Sequence, residues 1–180
     1  MTKKTFVSVF LFSLGLLILV APPLVAAQYL GETNWTMTKN QDQNGPVIPP
    51  KALTFTGAIT RMGGVYYTMQ GYGGNGSAEG NPIFTGGGVL IGNLLYLTLS
   101  YSQLQSSTVR ETGVIHLELD KTTLNGTFSD VAHNFDISTE GPNPVFSNFF
   151  AAGTLTRTGP VINLTPGASV GSTSLLLLEQ

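Results

Sequence analysis

The feature that most constrains the fold of this chain is a strict alternation of apolar and polar residues. The segment LLYLTLSYSQ, residues 94–103, is an example: every second residue from Leu95 to Leu99 is a leucine, and Tyr96 and Thr98 stand between them. In a β-strand, successive side chains point to opposite faces, so this pattern gives one apolar and one polar face. A strand that buries only one face is typical of antiparallel sheets.

The same pattern recurs along the chain and predicts eight strands, at residues 33–39, 52–62, 65–72, 83–91, 94–103, 113–119, 124–131 and 148–158. Glycine pairs and Gly-Asn steps between them, such as Gly63-Gly64 and Gly92-Asn93, indicate tight hairpin turns. Because consecutive strands usually lie side by side, the hairpins favour an up-and-down sheet, which removes its edges by closing. The sequence therefore predicts an all-β fold, a single eight-stranded antiparallel up-and-down β-barrel.

Four stretches interrupt the pattern. Residues 40–50 contain Pro46, Pro49 and Pro50 and are predicted as a loop. Longer irregular loops are predicted at residues 73–82 and 133–147. The three consecutive glycines at 86–88 predict a bulge or bend within the fourth strand.

The N-terminus has the form of a secretory signal peptide. Lys3 and Lys4 precede an apolar run of 15 residues at 6–20, and small residues end in Ala27. The run is shorter than the ~20 residues of a membrane-spanning helix. We therefore expect a signal peptide at 1–27, a barrel domain at 28–160 and an extended or mobile C-terminal tail at 161–180. The expected location is secreted or periplasmic.

The charge of the chain excludes some partners. The leader contains two of the eight basic residues, which leaves six against ten acidic residues and a net charge of −4 in residues 28–180. Nucleic acids and anionic lipid surfaces both require a basic face. We expect no nucleic-acid partner and no membrane insertion after cleavage of the leader. The sequence does not decide whether the chain forms a homo-oligomer.

The first and last strands carry a resemblance to a known group of barrels. Trp35 follows Gly31 on the first predicted strand, and Arg157 lies on the last. This resembles the lipocalin, fatty-acid-binding and avidin group, the calycins, whose signature is Gly-x-Trp; here three residues separate the two. The resemblance implies that Trp35 is a structural plug at the base of the barrel, packed against Arg157.

The same resemblance implies a non-catalytic barrel that binds a small, largely apolar molecule. Eight strands enclose an interior that side chains fill or that holds one small ligand. The loops at 73–82 and 133–147 would frame its entrance. The predicted ligand-binding residues are the apolar residues of the middle strands, Phe55, Ile59, Leu95, Leu97, Leu99, Ile115, Leu117 and Phe128.

Two other classes of function remain open. In a cyclase- or isomerase-like barrel, His116 with Glu118, or His133 with Asp130, would transfer protons. A filled structural barrel would instead assemble with copies of itself or with an envelope partner. The chain has no cysteine and no zinc signature, and its glycine runs precede no predicted helix that could bind phosphate. No metal, cofactor or catalytic residue is predicted.

Overall fold

The computed structural model describes residues 26–74, 82–104, 106–136 and 145–164. It contains eight strands: β1 (Gln28–Asp42), β2 (Gly45–Gly63), β3 (Tyr66–Gly74), β4 (Ile83–Ile91), β5 (Leu94–Leu104), β6 (Val109–Asp120), β7 (Gly126–Asp136) and β8 (Val145–Arg157). The predicted signal peptide, apart from its last two residues, lies outside the described residues, as does the predicted tail from residue 165 onward.

The strands form a closed barrel in sequence order, which confirms the predicted fold class. Every neighbouring pair is antiparallel, and β1 closes the sheet by pairing with β8 as well as with β2. Trp35 lies at this closure, opposite Phe55 on β2 and Arg157 on β8. The described residues include no helix that is long and apolar enough to cross a membrane.

The alternation of apolar and polar residues in the sequence matches the alternation of inward and outward side chains in the barrel wall. On β5, Leu95, Leu97 and Leu99 are buried inside the barrel, and Tyr96 and Thr98 face outward. The other strands follow the same rule, so the interior is a continuous apolar core. The hydrophobic effect therefore fixes which face of each strand turns inward.

The predicted loop at 40–50 is wrong. β1 continues to Asp42 and β2 begins at Gly45, so the two strands meet in a short turn in which Asn44 N donates to Asp42 Oδ1 at 2.9 Å. The pairing of β1 with β2 skips residues 47–50, so Pro49 and Pro50 need no ladder hydrogen bond. Proline is tolerated in a strand at such a position, because its missing N–H is not required.

The predicted bulge at 86–88 is also absent. β4 pairs with β3 and with β5 without a register shift through all three glycines. Here the neighbouring backbone is close: a Cβ added to Gly88 would lie 1.7 Å from the carbonyl oxygen of Tyr96. Glycine is required at this position because two strands approach closely, and not because the strand contains the extra residue of a bulge.

Several strands are longer than the sequence predicts. β6 begins at Val109 and not at residue 113, and β7 continues to Asp136, so residues 133–136 of the predicted irregular stretch belong to β7 and residues 145–147 to β8. The strands span 9 to 19 residues. The shorter strands predicted from the sequence are too short to cross a membrane. The observed strands are long enough, so strand length does not distinguish this barrel from a membrane-spanning one.

The chain after β8 folds across one end of the barrel. Ile162 and Leu164 are 3% and 2% exposed and belong to the core, although neither lies in a strand. Thr33 Oγ1 donates to Pro160 O at 2.6 Å, and Tyr67 Oη donates to Leu164 O at 2.9 Å. Residues 161–164, predicted as the start of an extended or mobile tail, thus pack against the barrel.

Candidate ligand-binding cavity

The interior of the barrel has two different ends. One end carries the turns β2–β3, β4–β5 and β6–β7 and is covered by residues 158–164. We call it the closed end. We call the cavity end the opposite one, with the β1–β2 turn and the connections β3–β4, β5–β6 and β7–β8. Of the two loops predicted to frame the entrance, 73–82 and 133–147, residues 75–81 and 137–144 lie outside the described residues.

The cavity end encloses a space of about 380 Å³. Residues from all eight strands line it, and most of the lining is apolar. The apolar part of the lining is Met37, Leu53, Phe55, Pro82, Phe84, Ile115, Phe128, Phe149 and Ala151. This volume lies within the ~300–1,000 Å³ of small-molecule sites.

The eight residues predicted to bind a ligand all face the interior, but they divide between the two ends. Three of them, Phe55, Ile115 and Phe128, line the cavity. The other five do not line it and pack in the apolar core toward the closed end: Ile59, Leu95, Leu97, Leu99 and Leu117.

A row of aromatic rings joins the closed end to the cavity. Trp35 is 1% exposed and stacks on Phe55, with ring centroids 5.3 Å apart. Phe55 meets Phe84 edge-on at 5.0 Å, and Phe84 meets Tyr101 at 5.4 Å. Trp35 Nε1 donates to Leu124 O at 2.7 Å, which satisfies the indole N–H below the cavity.

Arg157 lies beside Trp35 in register, and its guanidinium holds backbone carbonyls. Nε donates to Thr123 O at 2.9 Å, and a second guanidinium nitrogen donates to Gly159 O. Among the described residues, the single cation placed over a ring is Lys39, 4.9 Å from the centre of Phe149. Arg157 therefore links the β6–β7 turn to the segment after β8 by hydrogen bonds. Within the described residues, its guanidinium does not stack on Trp35.

A cluster of polar residues forms one wall of the cavity. This polar cluster consists of Tyr101 on β5, Glu111 on β6 and Asp130 on β7, all of them buried. Tyr101 Oη lies 2.9 Å from Glu111 Oε1 and 3.1 Å from Asp130 Oδ2. Gln103 Nε2 donates to the same Glu111 oxygen at 2.7 Å.

Gly113 makes room for this arrangement. It pairs with Tyr101 across β5 and β6 and with Ala132 across β6 and β7. A Cβ added at Gly113 would lie 2.5 Å from the ring of Tyr101. The absence of a side chain therefore lets the tyrosine ring lie across β6 and bring its hydroxyl to Asp130.

Burial changes the acid–base properties of the cluster. It is the main reason that the pKa of Asp130 is raised to about 6; Glu111 raises it further, whereas the hydrogen bond from Tyr101 and the charge of Lys39 lower it. The pKa of Tyr101 is raised far above its usual value by burial and then by the two carboxylates. The tyrosine is thus a permanent hydrogen-bond donor, and Asp130 titrates near neutrality.

Two oxygen atoms at the cavity lack a donor within the described part of the chain. These are Asp130 Oδ1 and Asn134 Oδ1, both buried, on residues that line the cavity and share one face of β7. Nearly all buried polar atoms in folded proteins have a partner, so each such exception needs an explanation.

The two histidines take no part in this site. His116 and Glu118 are exposed on the outer face of β6, and His116 Nδ1 lies 3.1 Å from Thr98 Oγ1. His133 is exposed and 2.8 Å from Asn148 Oδ1, on the face of β7 opposite to Asp130. Neither predicted histidine–carboxylate pair lies in the interior, and the described ranges contain no group of three residues suited to a metal ion.

The sequence carries a signal for the polar cluster. Counting back by two from Ile115 leads through Gly113 to Glu111, and counting on by two from Phe128 leads to Asp130. The predicted sixth strand begins at residue 113 and therefore does not include Glu111. Extending the alternation of inward and outward side chains beyond the apolar residues places both carboxylates inside.

Comparisons of the chain with protein-family models, with curated proteins and with solved structures find no match.

Proposed function

We propose that this protein is an exported, non-catalytic barrel that binds a small, largely apolar molecule at the cavity end. The observation that carries the proposal is the cavity of about 380 Å³, apolar over most of its lining and bearing one buried polar cluster. Ligand sites commonly combine an apolar wall with a few fixed polar groups that orient the ligand. In a filled structural barrel, side chains would occupy this space.

The distribution of polarity supports a barrel that works in water. The core is apolar, and the outward positions of β5 include Thr98, Ser100 and Ser102. Barrels that cross a membrane have the reverse pattern, with an apolar outer band and a polar interior. The N-terminal segment supports export, because it combines a basic start, an apolar run and small residues before position 28.

A second function is favoured by one observation, the pKa of about 6 at Asp130. A buried carboxyl group that titrates near neutrality beside a cavity can act as a general base or acid. In that case the barrel is an isomerase-like enzyme with Asp130 in place of the predicted histidines. Turnover of a bound molecule, detected as a change in its structure and not merely its retention, distinguishes this function from binding.

The test begins with protein of residues 28–180 purified from its own host. We expect native mass spectrometry to show an extra mass that disappears on denaturation, which identifies the molecule. A matched pair of variants locates it. Ala151→Phe places a ring in the cavity and should abolish the extra mass, whereas Ala152→Phe, the same change on the outward face of β8, should retain it.

Binding that survives Ala151→Phe would place the ligand elsewhere. A clean mass in both variants and in the parent protein, together with no uptake of any added apolar molecule, would contradict the proposal and favour the filled barrel. Melting temperatures of the two variants show whether the loss of binding reflects loss of the fold.

A further inference from the structure

The polar cluster places two carboxyl groups around a single hydroxyl group. Glu111 and Asp130 together offer four carboxylate oxygens, and both side chains are buried, at 5% and 9% exposed. The hydroxyl of Tyr101 lies within hydrogen-bonding distance of both residues, but a hydroxyl has a single hydrogen to donate. Glu111 also receives a hydrogen from Gln103. Asp130 therefore receives fewer hydrogen bonds than Glu111.

The shortage falls on two residues that line the cavity. Asp130 Oδ1 is buried without a donor in the described residues, and so is Asn134 Oδ1, four residues further along the same face of β7. Burying a carboxylate oxygen without a partner is unfavourable unless something else supplies the hydrogen bond. Both residues line the cavity, so a molecule bound there can supply it.

The cations of the chain do not meet this need. Lys39 on β1 lines the cavity, but its Nζ is 3.6 Å from Asp42 Oδ2 and lies over the ring of Phe149. Lys51 on β2 lines the cavity where the strand is exposed. Neither nitrogen is a hydrogen-bond partner of Asp130 within the described residues.

We propose that the ligand carries a protonated amine, and that its N–H groups donate to the carboxylate of Asp130, which lines the cavity, while its apolar body packs against Phe55, Phe84 and Phe128. This inference rests on the proposed function and specifies the chemical class of the molecule. A primary ammonium group has three donors and a positive charge, so it can satisfy several acceptors at once. Such charge-assisted hydrogen bonds are stronger than those of a neutral alcohol. A carboxylate head offers no donor and is repelled by the cluster.

The pairing predicts a dependence on pH. The groups that face Asp130 are Tyr101 from β5, Glu111 from β6 and Lys39 from β1, with Lys51 of β2 also lining the cavity. Since the pKa of Asp130 is about 6 in the empty protein, the carboxyl group is neutral below that pH and loses its attraction for an ammonium ion. The affinity for an amine should therefore fall as pH is lowered through 6, by up to about tenfold per pH unit.

Three probes of equal chain length separate head group from apolar body: octylamine, octanol and octanoate. Isothermal titration calorimetry at pH 8 measures each against the parent protein, Asp130→Asn and Glu118→Gln. The last variant removes a carboxylate from the outer face of β6 and controls for net charge. We expect octylamine to bind the parent at least about tenfold more tightly than octanol, and Asp130→Asn to remove this advantage while octanol binding changes little.

The outcomes separate the two proposals. If octylamine and octanol bind equally, or octanoate binds most tightly, the amine inference is overturned and the apolar binding function stands. If none of the three binds, both are overturned. Should Asp130→Asn fail to fold, the parent protein provides the same test between pH 8 and pH 5: octylamine binding must weaken while octanol binding stays constant, and parallel curves would overturn the inference.

Discussion

The two ends of this barrel are built from the same strands and the same alternation, yet one is filled and the other is hollow. At the closed end, Leu95 and Leu119 are fully buried, and Leu164 from the segment after β8 joins them. At the cavity end, the inward positions of β5, β6 and β7 change from apolar side chains to Tyr101 and two carboxylates. The difference shows that alternation assigns faces, whereas the residues at each level of the barrel decide whether its interior closes.

The two ends also differ in what they contribute. Close packing at the closed end stabilises the fold, since buried apolar side chains in full contact contribute most to stability. The cavity end leaves space and, within the described residues, keeps two buried side-chain oxygen atoms without donors, which costs stability. Four predictions test this contrast, from the largest expected effect to the smallest.

Trp35→Ala should have the largest effect. It removes the ring that stacks on Phe55 and the N–H that donates to Leu124 O, beneath the cavity. We expect the free energy of unfolding to fall by about 3–5 kcal/mol, measured by urea denaturation. Trp35→Phe should lose less because it retains a ring. A loss near zero for Trp35→Ala would show that this ring is not the boundary between the filled and hollow ends.

Truncation of two residues on β6 compares the ends directly. Leu119 is fully buried at the closed end, whereas Ile115 lines the cavity. Leu119→Ala should cost about 3–4 kcal/mol and Ile115→Ala about 2 kcal/mol, because the second change enlarges a space that already exists. Equal losses in urea denaturation would indicate that the cavity end is packed as tightly as the closed end.

Asp130→Asn should stabilise the empty protein at neutral pH. The pKa of Asp130 is raised to about 6 in the folded chain from 3.8, so the folded state binds more protons than the unfolded state between these values. Stability should therefore decrease as pH rises from about 4 to 6 and then level off, a loss of about 1–3 kcal/mol that the asparagine variant lacks. Thermal unfolding between pH 4 and pH 8 measures it. Parallel curves for parent and variant would contradict the burial of this charge.

Tyr67→Phe should have the smallest effect. The hydroxyl of Tyr67 is buried and donates to Leu164 O, a bond that holds the segment after β8 at the closed end. We expect a loss of about 1–2 kcal/mol, because the carbonyl then lacks a donor. Faster hydrogen exchange at residues 161–164 should accompany it. Unchanged exchange there would mean that burial of Ile162 and Leu164 alone holds this segment.

The sequence predicted the inward residues well because their signal is local. Ile59, Leu97 and Phe128 are predicted as ligand-binding residues of the interior, and all three are buried inside the barrel. The strand ends were predicted less well, since Pro49 and Pro50 suggested a loop where the pairing of β1 with β2 merely skips a few residues. The polar cluster was missed because Glu111 lay beyond the predicted end of its strand.

What the sequence by itself determined is the sheet: eight alternating strands, the apolar and the polar face of each, and most of their turns, all encoded by neighbours a few residues apart. Only the tertiary structure decided which end closes and which stays open. Residues 158–164 reach the closed end through contacts with β1 and β3, far away in sequence. Likewise, Tyr101, Glu111 and Asp130 meet because the register of β5, β6 and β7 places Tyr101 opposite Gly113, with the two carboxyl groups one inward position to either side, and Gly113 leaves room for the ring. Such distances depend on the pairing of the whole barrel, which no local pattern contains.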